Sequence, residues 1–123
     1  MYENPILVVE DEPDGQELVS RMLKVINVDI EVAGDGETGW DMLQEKAYTM
    51  AIIDLALPGM GGIELLSLIR KSDSLNQLPC VAITAYHTPE LKQQALASGF
   101  DGYFAKPLER TLFLEALDQL LES

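Results

Sequence analysis

The chain has 123 residues and a mass of 13.6 kDa, which is enough for one domain with a single substantial core. Its formal net charge is −13 at pH 7, so we expect no direct binding to nucleic acid or to membranes, since both are bound through Lys and Arg. One cysteine and one histidine exclude a disulfide framework and a metal site built from those residue types. A polar N-terminus and the lack of a long apolar run predict a cytoplasmic protein.

The first half of the chain predicts two strand–helix units. Residues 5–9 form a short aliphatic run of strand character that ends in three acids. Pro13 suits the first position of a helix, where its missing N–H costs nothing, and apolar spacing extends this helix to residue 26. Residues 28–33 alternate apolar and acidic side chains, which predicts a strand towards the sheet edge, and residues 37–46 predict a helix. The side chains expected to face the core from these two helices are Leu18, Val19, Met22, Leu23 and Ile26, then Trp40, Leu43 and Ala47.

The second half predicts three more units. Two of its strands are uniformly apolar, as expected of strands buried on both faces. Thr88 and Pro89 predict the start of a helix with a thin apolar face, and Gly99 predicts its end. The strands are predicted at residues 50–54, 79–84 and 102–105, and the helices at residues 63–70, 89–98 and 109–121. The side chains of the last helix expected to face the core are Leu112, Phe113, Ala116, Leu117 and Leu120.

Five strands that alternate with five helices predict a parallel sheet with right-handed crossovers and helices on both faces. The length favours an open sheet over an eight-fold barrel, which needs about twice as many residues. We therefore predict an α/β fold of the flavodoxin-like, three-layer αβα type. We expect one domain over residues 1–123, with no output domain within them.

Polar side chains stand where the predicted strands end: Glu10 and Asp11, then Asp54, Thr84 and Lys106. Because the carboxyl ends of parallel strands lie at one edge of the sheet, these groups are expected to meet in one pocket. Three acids held close together repel one another, so a divalent cation is a natural counter-charge. Oxygen ligands without His or Cys suit Mg²⁺, with Mn²⁺ as a second option.

The same groups suit a phosphoryl group. The Lys106 ammonium and the Thr84 hydroxyl can bind phosphoryl oxygens, and a carboxylate such as Asp54 can act as the nucleophile that forms an aspartyl phosphate. Each residue alone also fits an ordinary structural role, as a helix-terminus acid, a turn aspartate, a strand-end threonine or a solvated lysine. Their joint occurrence, one polar group per strand end, is what indicates a reactive site.

These motifs resemble those of the response regulator receiver domains of two-component signalling. The acidic run at residues 8–12 is similar to that family's first-strand acidic pair, and residues 54–62 are similar to its phosphoacceptor loop. Residues 82–85 resemble its switch threonine with a small follower, and residues 102–107 resemble its switch aromatic and lysine. The resemblance covers essentially the whole chain and implies the strand order 2-1-3-4-5.

The resemblance implies a role for each acid. Asp54 would accept a phosphoryl group from a histidine kinase or a histidine phosphotransfer protein, so the chain would catalyse only its own phosphorylation and dephosphorylation. Asp11 and Asp54 would ligate Mg²⁺ directly, Glu10 would act through water, and Ala56 would contribute its backbone carbonyl. Glu10 stands where Asp is commonest in the family, and its longer side chain should still reach a metal-bound water.

The resemblance also implies a switch. Lys106 would pair with the phosphoryl oxygens, Thr84 would move towards them, and Tyr103 would turn inward. The surface of helix four, strand five and helix five would then change for a downstream output domain or protein. A cis peptide bond before Pro107 is expected as well, and the chain would be a monomer or a phosphorylation-dependent dimer. The family varies at the positions of Ala56 and Tyr86, and the residues there tune the rate of dephosphorylation. Whether Ala56 and Tyr86 together raise or lower that rate stays open.

Three alternatives compete with this interpretation. A metal-dependent aspartyl-phosphate phosphatase of the dehalogenase type needs a second acid two residues after the nucleophile, where this chain has Ala56. A flavodoxin needs a phosphate-binding loop after the first strand, and the acids at residues 10–12 would repel that phosphate. A receiver-like binding module that is not phosphorylated is disfavoured by the complete set of acids, threonine and lysine.

Overall fold

A computed structural model describes residues 2–122 and contains five strands and five α-helices. The strands are β1 (Ile6–Val9), β2 (Ile30–Ala33), β3 (Met50–Asp54), β4 (Cys80–Thr84) and β5 (Gly102–Ala105). The helices are α1 (Pro13–Leu23), α2 (Gly36–Glu45), α3 (Gly62–Lys71), α4 (Pro89–Ser98) and α5 (Arg110–Glu122). No helix among these residues is both long enough and apolar enough to cross a membrane.

The strands form one parallel sheet in the order β2-β1-β3-β4-β5. The predicted fold class and strand order are therefore confirmed. The chain first moves outward from β1 to β2 and then crosses back to β3, so the direction of winding reverses between β1 and β3. Open α/β sheets bind their ligands at such a reversal, beyond the carboxyl ends of the strands.

The three central strands separate two hydrophobic cores. All residues of β1, β3 and β4 are buried, and their side chains alternate between the two faces of the sheet. Leu7 and Val9 pack in the core that also contains residues of α2 and α3. Ile6 and Val8 pack in the core that contains Phe113 and other residues of α1 and α5. This burial on both faces explains why the central strands are uniformly apolar in sequence.

Two predicted boundaries differ from the structure by two or three residues, and the others agree to within one residue. β2 begins at Ile30 rather than at residue 28, because the ladder with β1 starts at the pair Ile6 and Ile30. α1 ends at Leu23, and the predicted helix continues only as a 3₁₀ turn over Lys24–Ile26. Asn27 then adopts a left-handed conformation with φ of 61°, which ends the helical segment as expected.

Three side chains predicted to face the core do not. Leu112 is 61% exposed and Leu18 is 44% exposed, because the buried stripes of their helices are narrower than the apolar spacing suggested. In α5, for example, the fully buried pair is Phe113 and Leu117, one turn apart. Ala47 lies beyond the end of α2 and is exposed. Trp40 is only partly buried, although it packs against the core as expected.

The ends of α4 follow the prediction closely. The Thr88 hydroxyl accepts a hydrogen bond of 3.0 Å from the Leu91 N–H, and Gly99 ends the helix with φ of 117°, a conformation that Gly adopts at little cost. Ala95 is the one buried residue of this helix. The predicted thin apolar face is therefore present, and few core contacts hold α4 against the sheet.

Candidate functional site

Sheet hydrogen bonds continue past the strand ends and fix the backbone of the site. The Glu10 N–H donates to the carbonyl of Ala33 over 3.0 Å, and the Lys106 N–H donates to the carbonyl of Thr84 over 2.8 Å. Asp54 is the last residue of β3 and pairs in register with Ile83. The backbone therefore brings Glu10, Asp54, Thr84 and Lys106 to one edge of the sheet, where the sequence predicted them.

Lys106 links two buried carboxylates. Its ammonium donates to Glu10 Oε2 over 2.9 Å and to Asp54 Oδ2 over 2.7 Å. Glu10 is fully buried and Asp54 is 3% exposed, so each carboxylate has lost most of its contact with water. Because a buried charge is costly without a partner, the single ammonium stabilises both acids and holds them on either side of itself.

The acids of this cluster titrate differently. Burial raises the pKa of Glu10 to about 7, and a hydrogen bond with Asp54 adds to the increase against the opposing effect of Lys106. Burial acts in the same direction on Asp54, but hydrogen bonds with Glu10, Lys106 and the Ala56 N–H outweigh it and lower the pKa of Asp54. The two carboxylates likewise outweigh burial at Lys106 and raise its pKa. Near neutral pH, Asp54 is therefore the ionised acid of the pair.

Backbone N–H groups complete the surroundings of two predicted site residues. The Ala56 N–H donates to Asp54 Oδ1 over 2.8 Å, so both oxygens of Asp54 accept a hydrogen bond. The Tyr86 N–H donates to the Thr84 hydroxyl over 3.0 Å, and Thr84 is 1% exposed. Ala56 is exposed and Tyr86 is 72% exposed, so these two positions border the site on its solvent side.

Tyr103 lies in β5, next to β4, and contacts the only histidine of the chain. The Tyr103 hydroxyl lies 2.9 Å from His87 Nδ1, and the two ring centroids are 5.5 Å apart. Residue spacing does not predict this pair, because its members are far apart along the chain and meet through the conformation of the loop after β4. The expected cis peptide bond before Pro107 is present.

A group of acids lies at the end of β1. Carboxylate oxygens of Glu10, Asp11 and Glu12 lie within 4.8 Å of one another, and Asp11 and Glu12 are exposed. This group, found among residues 2–122, contains two of the predicted metal ligands together with Glu12, to which the sequence assigned no role. Asp54 is not a member of this group, although it shares the Lys106 ammonium with Glu10. The donors of the group are all carboxylate oxygens, which suit a hard divalent cation.

Comparisons with known proteins identify relatives across the whole chain. The family model described as the response regulator receiver domain matches residues 6–118. Chemotaxis protein CheY-3 of Vibrio cholerae is 33% identical over 118 residues, which cover 95% of this chain and 91% of that protein. Response regulator RppA of Synechocystis is 35% identical over 117 residues, which cover 94% of this chain but 49% of that protein.

A solved structure shares the fold of the whole chain. The receiver domain of the sensor histidine kinase PA1611 from Pseudomonas aeruginosa matches with a TM-score of 0.89 at 25% identity. The match covers 99% of this chain and 100% of that one. That protein was crystallised with a magnesium ion coordinated in its active-site cleft.

Proposed function

The chain belongs to the response regulator receiver domain family, which acts in two-component signalling, and from this we propose that Asp54 is its phosphoacceptor. The phosphoryl donor is the phosphohistidine of a histidine kinase or of a histidine phosphotransfer protein. The domain spans residues 1–123 and catalyses only its own phosphorylation and dephosphorylation. It acts in the cytoplasm as a signalling switch whose output is a conformational change.

The contact between Lys106 and Asp54 supports this proposal most directly. An ammonium 2.7 Å from the nucleophilic carboxylate lies where an incoming phosphoryl group would place its oxygens. The lowered pKa of Asp54 keeps this carboxylate ionised and able to attack phosphorus. Its position at the winding reversal of the sheet gives a phosphoryl donor access from the loop side.

Mg²⁺ fits the residues that the site offers. Asp11, Asp54 and the backbone carbonyl of Ala56 would hold the ion, with Glu10 beside them, and Mn²⁺ would suit the same oxygen donors. When bound, the ion offsets the negative charge of the acids and of the phosphoryl oxygens. The closely spaced acids at the end of β1 are the feature of this chain that supports a divalent cation there.

The transfer itself is an in-line displacement. A carboxylate oxygen of Asp54 forms a bond to phosphorus while the bond from phosphorus to the imidazole nitrogen of the donor breaks. The donor histidine leaves as neutral imidazole once it has taken up a proton, and Lys106 stays protonated throughout because its raised pKa keeps the charge in place. Hydrolysis of the acyl phosphate by water later returns Asp54 to its starting state.

The signal then passes through Thr84 and Tyr103. Thr84 moves towards the phosphoryl group, Tyr103 turns inward, and the surface formed by α4, β5 and α5 changes for an output domain or protein. The thin core contact of α4 supports such a movement, since an element with few buried contacts shifts at low cost. A phosphorylation-dependent dimer is a further outcome of the same change. The three alternatives to this function, a dehalogenase-type phosphatase, a flavodoxin and a module that is never phosphorylated, gain no support from the site.

Phosphorylation of the purified protein tests the proposal. Incubation with acetyl phosphate and Mg²⁺ should add one phosphoryl group, seen by intact-protein mass spectrometry, that is stable in acid and lost in base. Asp54→Ala should abolish the adduct, while Asp41→Ala, which changes an exposed aspartate of α2, should leave it unchanged. An adduct that persists in Asp54→Ala, or that forms equally well with a chelator in place of Mg²⁺, would overturn the assignment.

A further inference from the structure

Glu10 lies beneath the first turn of α1 and is held from several directions. Its Oε1 accepts a hydrogen bond of 3.3 Å from the Glu12 N–H, and its Oε2 accepts one of 2.9 Å from Lys106. The Gln16 side chain donates to its backbone carbonyl over 2.6 Å. Because Glu10 is fully buried, its carboxylate has little freedom to settle elsewhere.

Gly15, the third residue of α1, faces this carboxylate. A Cβ atom added to Gly15 would lie 2.7 Å from Glu10 Oε1, 2.8 Å from Cδ and 3.1 Å from Cγ. All three nearest atoms belong to the Glu10 side chain, so this side chain occupies the volume that a residue larger than Gly would need. Gly is a poor helix former because it loses much conformational entropy on folding. Its presence in the first turn of α1 therefore calls for a packing reason.

We propose that Gly15 is a positioning residue, which makes room for the long side chain of Glu10 so that its carboxylate reaches Lys106 and the metal-binding acids. The inference rests on the proposed function, since Glu10 takes part there in holding Mg²⁺. An aspartate at residue 10 would be one methylene shorter and would not need this room. The length of the acid at residue 10 and the absence of a side chain at residue 15 thus form a matched pair.

This matching predicts separate effects on folding and on metal binding. Gly15→Ala places a good helix former in α1, which offsets part of the cost of moving the buried Glu10 carboxylate away from Lys106. The three atoms nearest to the added Cβ all belong to Glu10, so the variant should still fold, with some loss of stability. The displaced carboxylate, however, leaves its place beside Lys106 and crowds Asp11 and Asp54. Supporting groups of this kind change metal affinity by roughly 10-fold or more when they are altered.

A double-mutant cycle tests the proposal. Mg²⁺ affinity is measured by titration calorimetry for the wild type, Gly15→Ala, Glu10→Asp and the double variant. Gly15→Ala should weaken binding about 10-fold, and the double variant should bind within about twofold of Glu10→Asp alone, because the two positions are coupled. Gly34→Ala is the control and should bind as the wild type does, since a Cβ there meets nothing within 4 Å. Without Mg²⁺, Gly15→Ala should still unfold in one cooperative transition, which separates a loss of metal affinity from a loss of the fold.

Two results would overturn the proposal. One is wild-type affinity in Gly15→Ala, and the other is an equal loss when Gly15→Ala is made in the Glu10→Asp background. A metal-free crystal structure of Gly15→Ala gives an independent answer, because the Lys106 ammonium and Glu10 Oε2 should separate beyond hydrogen-bond distance; an unchanged contact would also overturn it. If the wild type bound no Mg²⁺ at all, the proposed function would fail, and the metal-free structures alone would decide where the carboxylate of Glu10 lies.

Discussion

Glu10 and Asp54 contact the same ammonium, yet they hold protons with different strength. Both acids are buried and each accepts a backbone N–H, but the bond from Ala56 to Asp54 is 2.8 Å long against 3.3 Å for the bond from Glu12 to Glu10, and the shorter bond favours the charged form of Asp54 more strongly. At Glu10 the effect of burial prevails and raises the pKa to about 7. Glu10 is therefore the acid that takes up a proton first. A divalent cation in the site would therefore compete with a proton on Glu10, and a phosphoryl donor would meet Asp54 already ionised.

This difference predicts a pH dependence of stability in the absence of Mg²⁺. The pKa of Glu10 is 4.5 before folding perturbs it and about 7 in the folded protein, so the folded state holds the proton more tightly. The contribution of Glu10 to the free energy of unfolding is fully present below about pH 4.5 and is lost as the pH rises through about 7. The lowered pKa of Asp54 acts with the opposite sign and only in more acidic solution.

Urea unfolding at pH 5 and pH 8 with a chelator present measures this effect. From pH 5 to pH 8 the wild type should lose on the order of 2 kcal/mol more stability than Glu10→Gln. The comparison with Glu10→Gln cancels the general repulsion among the many other acids of the chain. Equal losses in the two proteins would contradict the assignment of the raised pKa to Glu10.

Sequence reasoning at the residue scale succeeded where the backbone alone decides the outcome. Glu10 and Lys106 each follow a strand and Asp54 is the last residue of one, and the parallel sheet brings strand ends together whatever their side-chain conformations. The contact of Gly15 with Glu10 depends instead on how closely α1 packs over the sheet. The pair of His87 and Tyr103 depends on the conformation of the loop after β4. Neither quantity is encoded in residue spacing, so the sequence did not predict these contacts.

Among the elements, α3 is tied to the opposite edge of the sheet by the side chain of Arg70. Its guanidinium donates to the carbonyls of Asn76 and Leu78 and, through two nitrogens, to the carbonyl of Gly99. It also forms an ion pair of 3.1 Å with Asp101, whose carboxylate accepts the Cys80 N–H. One side chain therefore joins the end of α3 to the loop before β4 and to the loop before β5.

Replacement of Arg70 should destabilise the fold without touching the phosphorylation site. Arg70→Ala should lower the free energy of unfolding by about 2–4 kcal/mol, because several carbonyl groups lose their charged donor. Arg70→Lys should recover only part of this loss, since one ammonium cannot reproduce the planar set of donors. Urea denaturation measures both values.

Arg21→Ala is the matched control for this prediction. Arg21 pairs with Glu17 on the exposed face of α1, with 68% of its side chain accessible, so its removal should cost less than about 0.5 kcal/mol. Equal effects at Arg70 and Arg21 would show that the contacts of Arg70 do not hold these elements together.

All the predicted strands and helices are present in the structure, and the errors in their predicted boundaries and buried faces share one cause. The start of β2 was placed two residues early because alternation of apolar and acidic residues continues beyond the paired segment. Leu112 was placed in the core because apolar spacing on a helix marks a stripe but not its width. Both details are decided by which neighbours the sheet supplies, β1 for the edge strand and the core beneath α5 for the helix. Local sequence does not contain that information.

Across the whole molecule, the loop after β4 connects the site to the surface of α4 and β5. In this loop, the Tyr86 N–H donates a hydrogen bond to the Thr84 hydroxyl, and His87 contacts the hydroxyl of Tyr103. The loop ends at Thr88, the N-cap of α4. Movement of Thr84 towards a phosphoryl group would break the hydrogen bond between the Tyr86 N–H and the Thr84 hydroxyl and would displace the loop. The contact between His87 and the Tyr103 hydroxyl would then oppose the proposed inward turn of the tyrosine and would stabilise the unphosphorylated state.

His87→Ala should therefore shift the molecule towards its active conformation. An exposed hydrogen bond contributes about 1 kcal/mol, so its loss should tighten the binding of beryllofluoride, a phosphoryl mimic, by roughly fivefold in the presence of Mg²⁺. Fluorescence or calorimetric titration measures the affinity. In a Tyr103→Phe background, which lacks the hydroxyl, His87→Ala should have no further effect. Unchanged or weaker binding in His87→Ala, or the same gain in the Tyr103→Phe background, would contradict the idea that this contact holds Tyr103 in the position that it has in this structure.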